Sequence, residues 1–366
     1  MGMTKQIMNL NRSRKKVKSH NKIKVQYLDS TGEELMQTFQ LFKVKTIRIF
    51  PILLMLAFLV MACNTSEASP GHPPLKVTWN LWPGNYPIVL AKELNLFEKH
   101  GVEVESILSH SYDTMAPDFI ERKTDVVLFT LVDALLIDAR EPDSARVTVV
   151  IDESNGADVV IAAPDIKTVA DLRGQRLGAS SGSFGELLVR QMLATNNLTF
   201  DELTMVDIGP EAVPEAIPTS IEAGFTFDIY ASPNPDDHHV IFSSADAPGL
   251  IVDVMIFRRE VIEDRPEDVR AFIDAWFEAV DYWQANPDEG TNIIARALDL
   301  PAEEISLDGL RLFNRADNLQ AFNPGSDTRS LFISGQVNAD FLISTGGLTT
   351  APNLGRLLMP SFLEKR

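Results

Sequence analysis

Cysteine is almost absent from this 366-residue chain: Cys63 is the only one, so no intrachain disulfide can form. Histidine is scarce too. Six residues, with no HExxH and no Cys/His spacing, offer none of the common metal frameworks. Basic side chains are few beyond residue 62, where 22 Lys and Arg face 48 Asp and Glu, a formal charge of −26. A body of that sign repels phosphate backbones, which argues against any nucleic-acid partner. No apolar run reaches the roughly 20 residues that a membrane-spanning helix needs. The run Ile49–Ala62 has 14 and contains Pro51. What is present, 45% hydrophobic and 23% charged residues, is globular composition of one large or two medium domains, without internal repeats.

The N-terminal charge is opposite to that of the body. Residues 1–62 carry 11 Lys and Arg against 3 Asp and Glu, and Lys43, Lys45 and Arg48 stand directly before the apolar run. A basic stretch, a short apolar stretch and a small residue at its end describe a secretory signal. Val60-Met61-Ala62-Cys63 resembles the bacterial lipobox, where the signal is removed and the cysteine acylated, with Met61 the less usual occupant. The alternative is an ordinary signal with an incidental cysteine. Residues 1–62 are thus expected to be a cleaved signal region, with 1–35 either a long basic extension or sequence upstream of a true start at Met36. Residues 63–74, polar and Pro-rich, form a flexible tether lipidated at Cys63. Such a protein sits in the periplasm or at the cell membrane, on the extracytoplasmic face, touching the membrane through its lipid only.

From Leu75 onward, strand and helix patterns alternate. Lys76–Leu81, Val102–Leu108, Asp125–Phe129, Val147–Asp152 and Asp158–Ala163 read as strands, separated by helices over Tyr86–His100, Met115–Lys123 and Val132–Arg140. A second unit of the same kind starts at Pro164, with strands at Arg176–Ala179, Thr204–Asp207, Phe227–Tyr230 and Val240–Phe242 and a helix over Gly185–Thr195. The C-terminal third is mostly helical. Val269, Phe272, Ile273, Trp276, Phe277, Val280 and Trp283 recur at helix spacing behind Pro266, and Asn286-Pro287 ends that helix. The pattern predicts α/β architecture with ligands at the C-terminal ends of parallel strands.

Five stretches then carry a family resemblance in order: Leu81-Trp-Pro-Gly-Asn-Tyr-Pro with Leu90-Ala-Lys-Glu-Leu-Asn-Leu-Phe; Asp125-Val-Val-Leu-Phe-Thr-Leu-Val-Asp; Asp152-Glu-Ser-Asn-Gly-Ala-Asp158; Asp171-Leu-Arg-Gly-Gln-Arg-Leu-Gly; and Ser243-Ser-Ala-Asp-Ala-Pro-Gly-Leu-Ile-Val-Asp253. Over residues 75–350 the chain resembles the substrate-binding proteins of bacterial ABC importers in the nitrate, sulfonate, taurine and thiamine-precursor group. The resemblance implies a two-lobe periplasmic-binding-protein-like fold joined by two crossover strands, expected at Asp158–Ala163 and Ile251–Phe257. Lobe 1 would be 75–163 plus 251–366 and lobe 2 would be 164–250. It also implies a monomer without cofactor, which closes on a small-molecule ligand and delivers it to permease and ATPase subunits. A sensory binding module without a transporter shares every one of these features.

The cleft candidates follow from strand ends. Trp82, Gly84, Asn85 and Tyr86 form the turn after the first strand, where an aromatic wall and a side-chain-free backbone suit a ligand. Thr130 and Asp133 follow the third strand and either bind ligand or cap the next helix. Ser180, Ser181, Gly182, Ser183 and Phe184 sit between a strand and a helix, where free amides would receive an anion or a polar group. The same loop matches G-x-S-x-G, so a serine hydrolase with Ser180, Asp228 or Asp236, and His238 or His239 is the enzymatic alternative, although no Gly-rich oxyanion segment precedes it. His238 and His239 otherwise read as a surface loop. Asp133, Asp152, Asp158 and Asp253 all fall near strand ends or crossovers, where Arg and Lys are scarce. That predicts a neutral or cationic nitrogen-bearing ligand, planar enough to stack on Trp82 or Tyr86. The competing expectation pairs these aspartates with Arg258 and Arg259 or uses them as caps.

Overall fold

The computed structural model describes residues 72–227 and 237–364. The signal region, Cys63 and most of the tether lie outside them, as do Asp228, Asp236 and the end of the strand expected to reach Tyr230.

Eleven strands are described: β1 Leu75–Trp79, β2 Val104–Leu108, β3 Val126–Thr130, β4 Ala145–Ser154, β5 Asp158–Ala162, β6 Arg176–Ala179, β7 Thr204–Asp207, β8 Ala223–Phe227, β9 His239–Ser243, β10 Val252–Arg258 and β11 Leu310–Leu312. They form a six-stranded sheet in the order β11-β4-β10-β3-β1-β2 and a five-stranded sheet in the order β7-β6-β8-β5-β9. In the first, β1 pairs in parallel with β2 and β3, while β10 runs antiparallel between β3 and β4. In the second, β6 pairs in parallel with β7 and β8, and β5 lies antiparallel between β8 and β9. The interior strand β3 buries both faces, as its unbroken Val-Val-Leu-Phe run requires, whereas the edge strands β2 and β7 stay partly exposed.

The fold is the expected two-lobe one, with a correction to where the chain crosses. Asp158–Ala162 is a central strand of the second sheet and β10 a central strand of the first, so neither is itself a link. The links are the short segments 155–157, between β4 and β5, and 244–251, between β9 and β10. Hydrogen bonds tie them together: Ser154 Oγ meets Ser244 Oγ at 2.8 Å, and Ser244 Oγ accepts from Gly156 N at 2.7 Å. Gly309 O accepts from Asn155 N at 2.7 Å and Ala157 N at 3.1 Å, adding a third strap to the hinge.

Helices cover both sheets. The single helix expected over Tyr86–His100 is two, Pro87–Glu93 and Leu96–His100, because Asn95 takes a left-handed conformation at φ 55° between them. Asparagine tolerates that conformation better than most residues with a side chain. The helix Pro266–Ala285 buries Val269, Phe272, Ile273, Trp276, Phe277, Val280 and Trp283, the stripe seen in the sequence. Each such side chain contributes roughly 1.5–3 kcal/mol on burial. A new helix, Pro287–Leu298, begins directly at the expected break. Its Gly290 lies where a Cβ would come within 2.5 Å of the Trp283 ring, so only glycine lets the two helices close on that tryptophan. His238, expected on the surface, is buried, and His239 opens β9.

Candidate ligand-binding cleft

Strand register assembles the acidic part of the site. On the first sheet Asp253 of β10 is the direct partner of Asp152 on β4 and of Thr130 on β3. Directly opposed residues in a sheet point to the same face, so two carboxyls and a hydroxyl stand in one row. Like charges placed opposite each other are unfavourable, and the β4–β10 ladder breaks register immediately after Asp253, at Val254. On the second sheet Asp158 of β5 is the direct partner of Phe227 on β8. The 155–157 link is so short that Asp152 and Asp158, one from each sheet, are held close.

The turn expected to bind ligand closes over Asp152. Trp82 donates from Nε1 to Asp152 Oδ1 at 3.3 Å. Gly84 lies so near that a Cβ there would be 1.8 Å from Asp152 Oδ2, which explains glycine at this place. Asn80 organises the turn, its Oδ1 accepting from Trp82 N at 3.2 Å and Asn85 Nδ2 at 2.9 Å. Asn85 is therefore a buried brace of the turn. Tyr86 departs from expectation. Its ring is only 3% exposed, packed edge-on against Trp79 in the core, and its hydroxyl donates to Leu81 O at 3.2 Å, so it offers no wall to a ligand.

Thr130 caps the next helix, accepting from Asp133 N at 3.2 Å, and also donates from Oγ1 to Asp133 Oδ2 at 2.5 Å. Of the two expected roles, capping is the one these contacts show. The same carboxylate oxygen accepts a hydrogen bond from the Tyr112 hydroxyl. Tyr112 went unrecognised in the sequence; its signal was its place just after β2, at the C-terminal end of a parallel strand.

Aromatic rings from both lobes meet around these groups. Trp82 lies 6.0 Å from Phe227 between ring centroids, and Tyr112 lies 4.5 Å from Phe129 and 6.5 Å from Phe184. Phe184 and Phe227 stack at 6.1 Å. Tyr112, 39% exposed, and the half-buried Trp82, Phe184, Phe227, Asp133 and Asp253 keep surface open to solvent.

The Ser180–Gly185 loop reaches this cluster through Phe184, but its polar groups are already engaged. Ser180 Oγ donates to Ile208 O and Ser183 Oγ to Ser180 O, at 3.2 and 2.7 Å. Asp207 accepts from Ser181 N at 2.9 Å, Glu186 from Gly182 N at 2.7 Å, and Ser183 Oγ from Gly185 N at 3.2 Å. The amides expected to be free for an anion are taken by Asp207 of β7, Glu186 of the following helix and the loop's own Ser183. Nor does Ser180 hydrogen-bond to a histidine, as an activated nucleophile must; neither ring nitrogen of the buried His238 has a partner.

Burial raises the affinity for protons of every carboxyl in the cleft. Asp152 is pushed up to about 7 by burial, reinforced by the charges of Asp158 and Glu153 and opposed by the Trp82 N–H. Asp158 reaches about 7 through burial. Asp253 is raised further by burial and then by Asp152, Asp158 and Asp133. Asp133 is raised by burial against the hydrogen bonds of Thr130 and Tyr112. The arginines expected to neutralise them face elsewhere. Arg258 pairs with Glu260 at 2.8 Å, and Arg259 with Glu263 at 2.8 Å. Among the described residues, no three His, Asp or Glu side chains are placed to hold a metal ion.

Two α/β lobes joined by two short links define the periplasmic-binding-protein fold. The chain belongs to the NMT1/THI5-like family, whose model matches residues 82–290. A Brucella abortus protein named as a binding protein is 24% identical over 242 residues, 64% of this chain and 74% of that one. The periplasmic aliphatic sulphonate binding protein SsuA of Escherichia coli superposes with a TM-score of 0.65 at 18% identity, over 81% of this chain and 95% of its own. The periplasmic nitrate-binding protein NrtA of Synechocystis PCC 6803 does so at 0.60 and 12%, over 79% and 86%. The desulfurization enzyme DSZB has the same fold, at 0.57 and 15%, over 79% and 97%. The shared fold therefore leaves binding and catalysis to be argued from the site.

Proposed function

We propose that this protein is an extracytoplasmic solute-binding lipoprotein that captures a small organic molecule between its lobes and delivers it to the permease and ATPase of an ABC importer. The observation that carries this is the cleft itself: five rings and three underpartnered carboxyls, drawn from both sheets, meet beside two short links. Trp82, Tyr112, Phe184 and Phe227 would wall the ligand, and Asp253, Asp152 and Asp158 would accept its N–H groups. The names of SsuA, NrtA and the Brucella protein, which describe binding, support the same reading. Among the described residues no helix is long and apolar enough to cross a membrane, and the lipobox-like Val60–Cys63 supplies the anchor in this proposal.

An enzymatic role is weakened by the engaged hydroxyl of Ser180. A thermal-shift screen over amines, heterocycles, sulfonates and nitrate, followed by small-angle scattering with the best hit, tests the function. A bound solute raises the melting point by mass action and compacts the particle. No hit across the panel, or stoichiometric fluorophosphonate labelling of Ser180, would overturn it. For the anchor, cell-associated protein should partition into detergent, and Cys63→Ala should abolish that partitioning.

A further inference from the structure

Three carboxyls of the cleft lack the partners that buried acids ordinarily have. Asp152 and Asp158 are each 1% exposed, and Asp152 Oδ2 and Asp158 Oδ1 have no hydrogen-bond donor. The half-buried carboxyl of Asp253 receives no hydrogen bond among the described residues, and its sheet neighbours are Asp152 and Thr130. Beside them, the buried Oδ1 of Asn85 in the Trp82 turn also waits for a donor.

Nearby charges offer no relief. Asp133 is held by Tyr112 and Thr130, and Glu153 is engaged by Arg311, which also binds Asp317. Arg140 only weakly favours the charge on Asp133, and Arg258 is committed to Glu260 and to Phe119 O. The phenols of Tyr112 and Tyr86 carry no charge either, desolvation and nearby carboxylates raising both above their ordinary value. Among the described residues the fold thus supplies several acceptors and no cation paired to them. Around them it places rings whose faces attract positive charge.

We propose that the cleft takes an organic cation in exchange for protons: the empty site keeps part of Asp152, Asp158 and Asp253 protonated, and a planar amidinium- or ammonium-bearing solute releases those protons as it enters. This rests on the solute-binding reading and names its ligand class. For each carboxylic acid that becomes a carboxylate facing the cation, one proton leaves to solvent, and no bond of the ligand changes. The raised proton affinities of the three groups fit this cycle, since burial alone keeps an unpaired carboxyl neutral.

Calorimetry with benzamidine, neutral benzamide and anionic benzenesulfonate decides the matter, run from pH 5.5 to 8.5 in buffers of different ionisation enthalpy. Benzamidine should bind, with affinity rising about tenfold per pH unit for each proton released, and the heats should report that release. Benzamide and benzenesulfonate should bind at least tenfold more weakly at high pH. Asp253→Asn should flatten the pH profile, and Asp253→Glu should restore its slope. Benzamidine binding independent of pH, no benzamidine binding at millimolar concentration, or preference for benzenesulfonate would overturn the inference. Benzenesulfonate binding abolished by Trp82→Ala would leave the solute-binding reading standing while removing the cation. Carbon-13 titration of the empty protein is a separate check. Asp152 and Asp253 signals that titrate with the ordinary carboxylates would overturn proton exchange whatever binds.

Discussion

Two groups of aspartates, one at each end of β4, have opposite surroundings. Asp138 and Asp143, near the start of β4, are met by cations: Arg356 Nη2 reaches Asp138 Oδ2 at 2.5 Å, Arg146 Nη2 reaches Asp143 Oδ1 at 2.7 Å, and Arg259 Nε lies 3.7 Å from Asp143 Oδ2. Arg146 accordingly holds Asp143 below the usual carboxylate range. At the far end of the same strand Asp152 faces Asp253 and Asp158 with no arginine paired to them among the described residues, and all three are raised. A buried acid with its cation inside the chain is structure. One without is a cost to stability, which the proposed cationic solute would offset.

The tryptophans repeat the contrast and give the largest expected effect. Trp276, fully buried, should cost about 3–5 kcal/mol when cut to alanine, by urea unfolding. Trp82→Ala, at the half-buried cleft wall, should cost about 1 kcal/mol and instead remove solute binding. Equal losses from both would break the distinction.

The pH dependence of the empty protein comes next. Asp152 and Asp158 hold protons up to about 7 when folded, against about 3.9 when unfolded. The native state then binds more protons than the unfolded chain between those values, so stability must fall as pH rises from about 4 to about 7 and level off above. A loss of about 2–4 kcal/mol across that window is expected from denaturant midpoints, and Asp152→Asn should remove part of it. By the same sign, Asp253→Asn should stabilise the empty protein at pH 8 and change little at pH 5. A midpoint that rises over this window would contradict the raised carboxyls.

Arg356→Ala probes the paired group. It leaves the buried Asp138 with the Asp143 amide as its donor. Because Arg356 is 32% exposed, solvent softens the effect, and about 2 kcal/mol of destabilisation is expected rather than the full cost of a broken interior pair. Ser180→Ala should be the mildest change. It removes one hydroxyl bond to Ile208 O, so at most about 1 kcal/mol is lost and binding persists. Loss of binding on that substitution would return the serine loop to the site.

Much of the cleft was legible one residue at a time. Strand ends flagged Trp82, Gly84, Thr130, Asp133, Asp158 and Asp253, because ligand sites gather there in α/β sheets. Tyr86 misled because an aromatic in a turn looks the same in sequence whether its ring faces solvent or Trp79. The serine loop misled for a related reason. Hydroxyls and amides can satisfy one another locally, and only coordinates show that Asp207 and Glu186 have taken them. Tyr112, Phe129 and Phe227 were missed because their meeting depends on both sheets.

The sequence by itself determined the alternating elements, the break at Asn286-Pro287, the buried stripe of Pro266–Ala285 and the acidic body, all set by local periodicity, backbone chemistry and composition. Only the tertiary structure decided which charges have partners. Register places Asp253 between Asp152 and Thr130, the 155–157 link brings Asp158 beside them, and the arginines turn to other acids. Charge pairing is decided over a few ångströms between residues as far as 218 positions apart, a distance that only the folded chain defines.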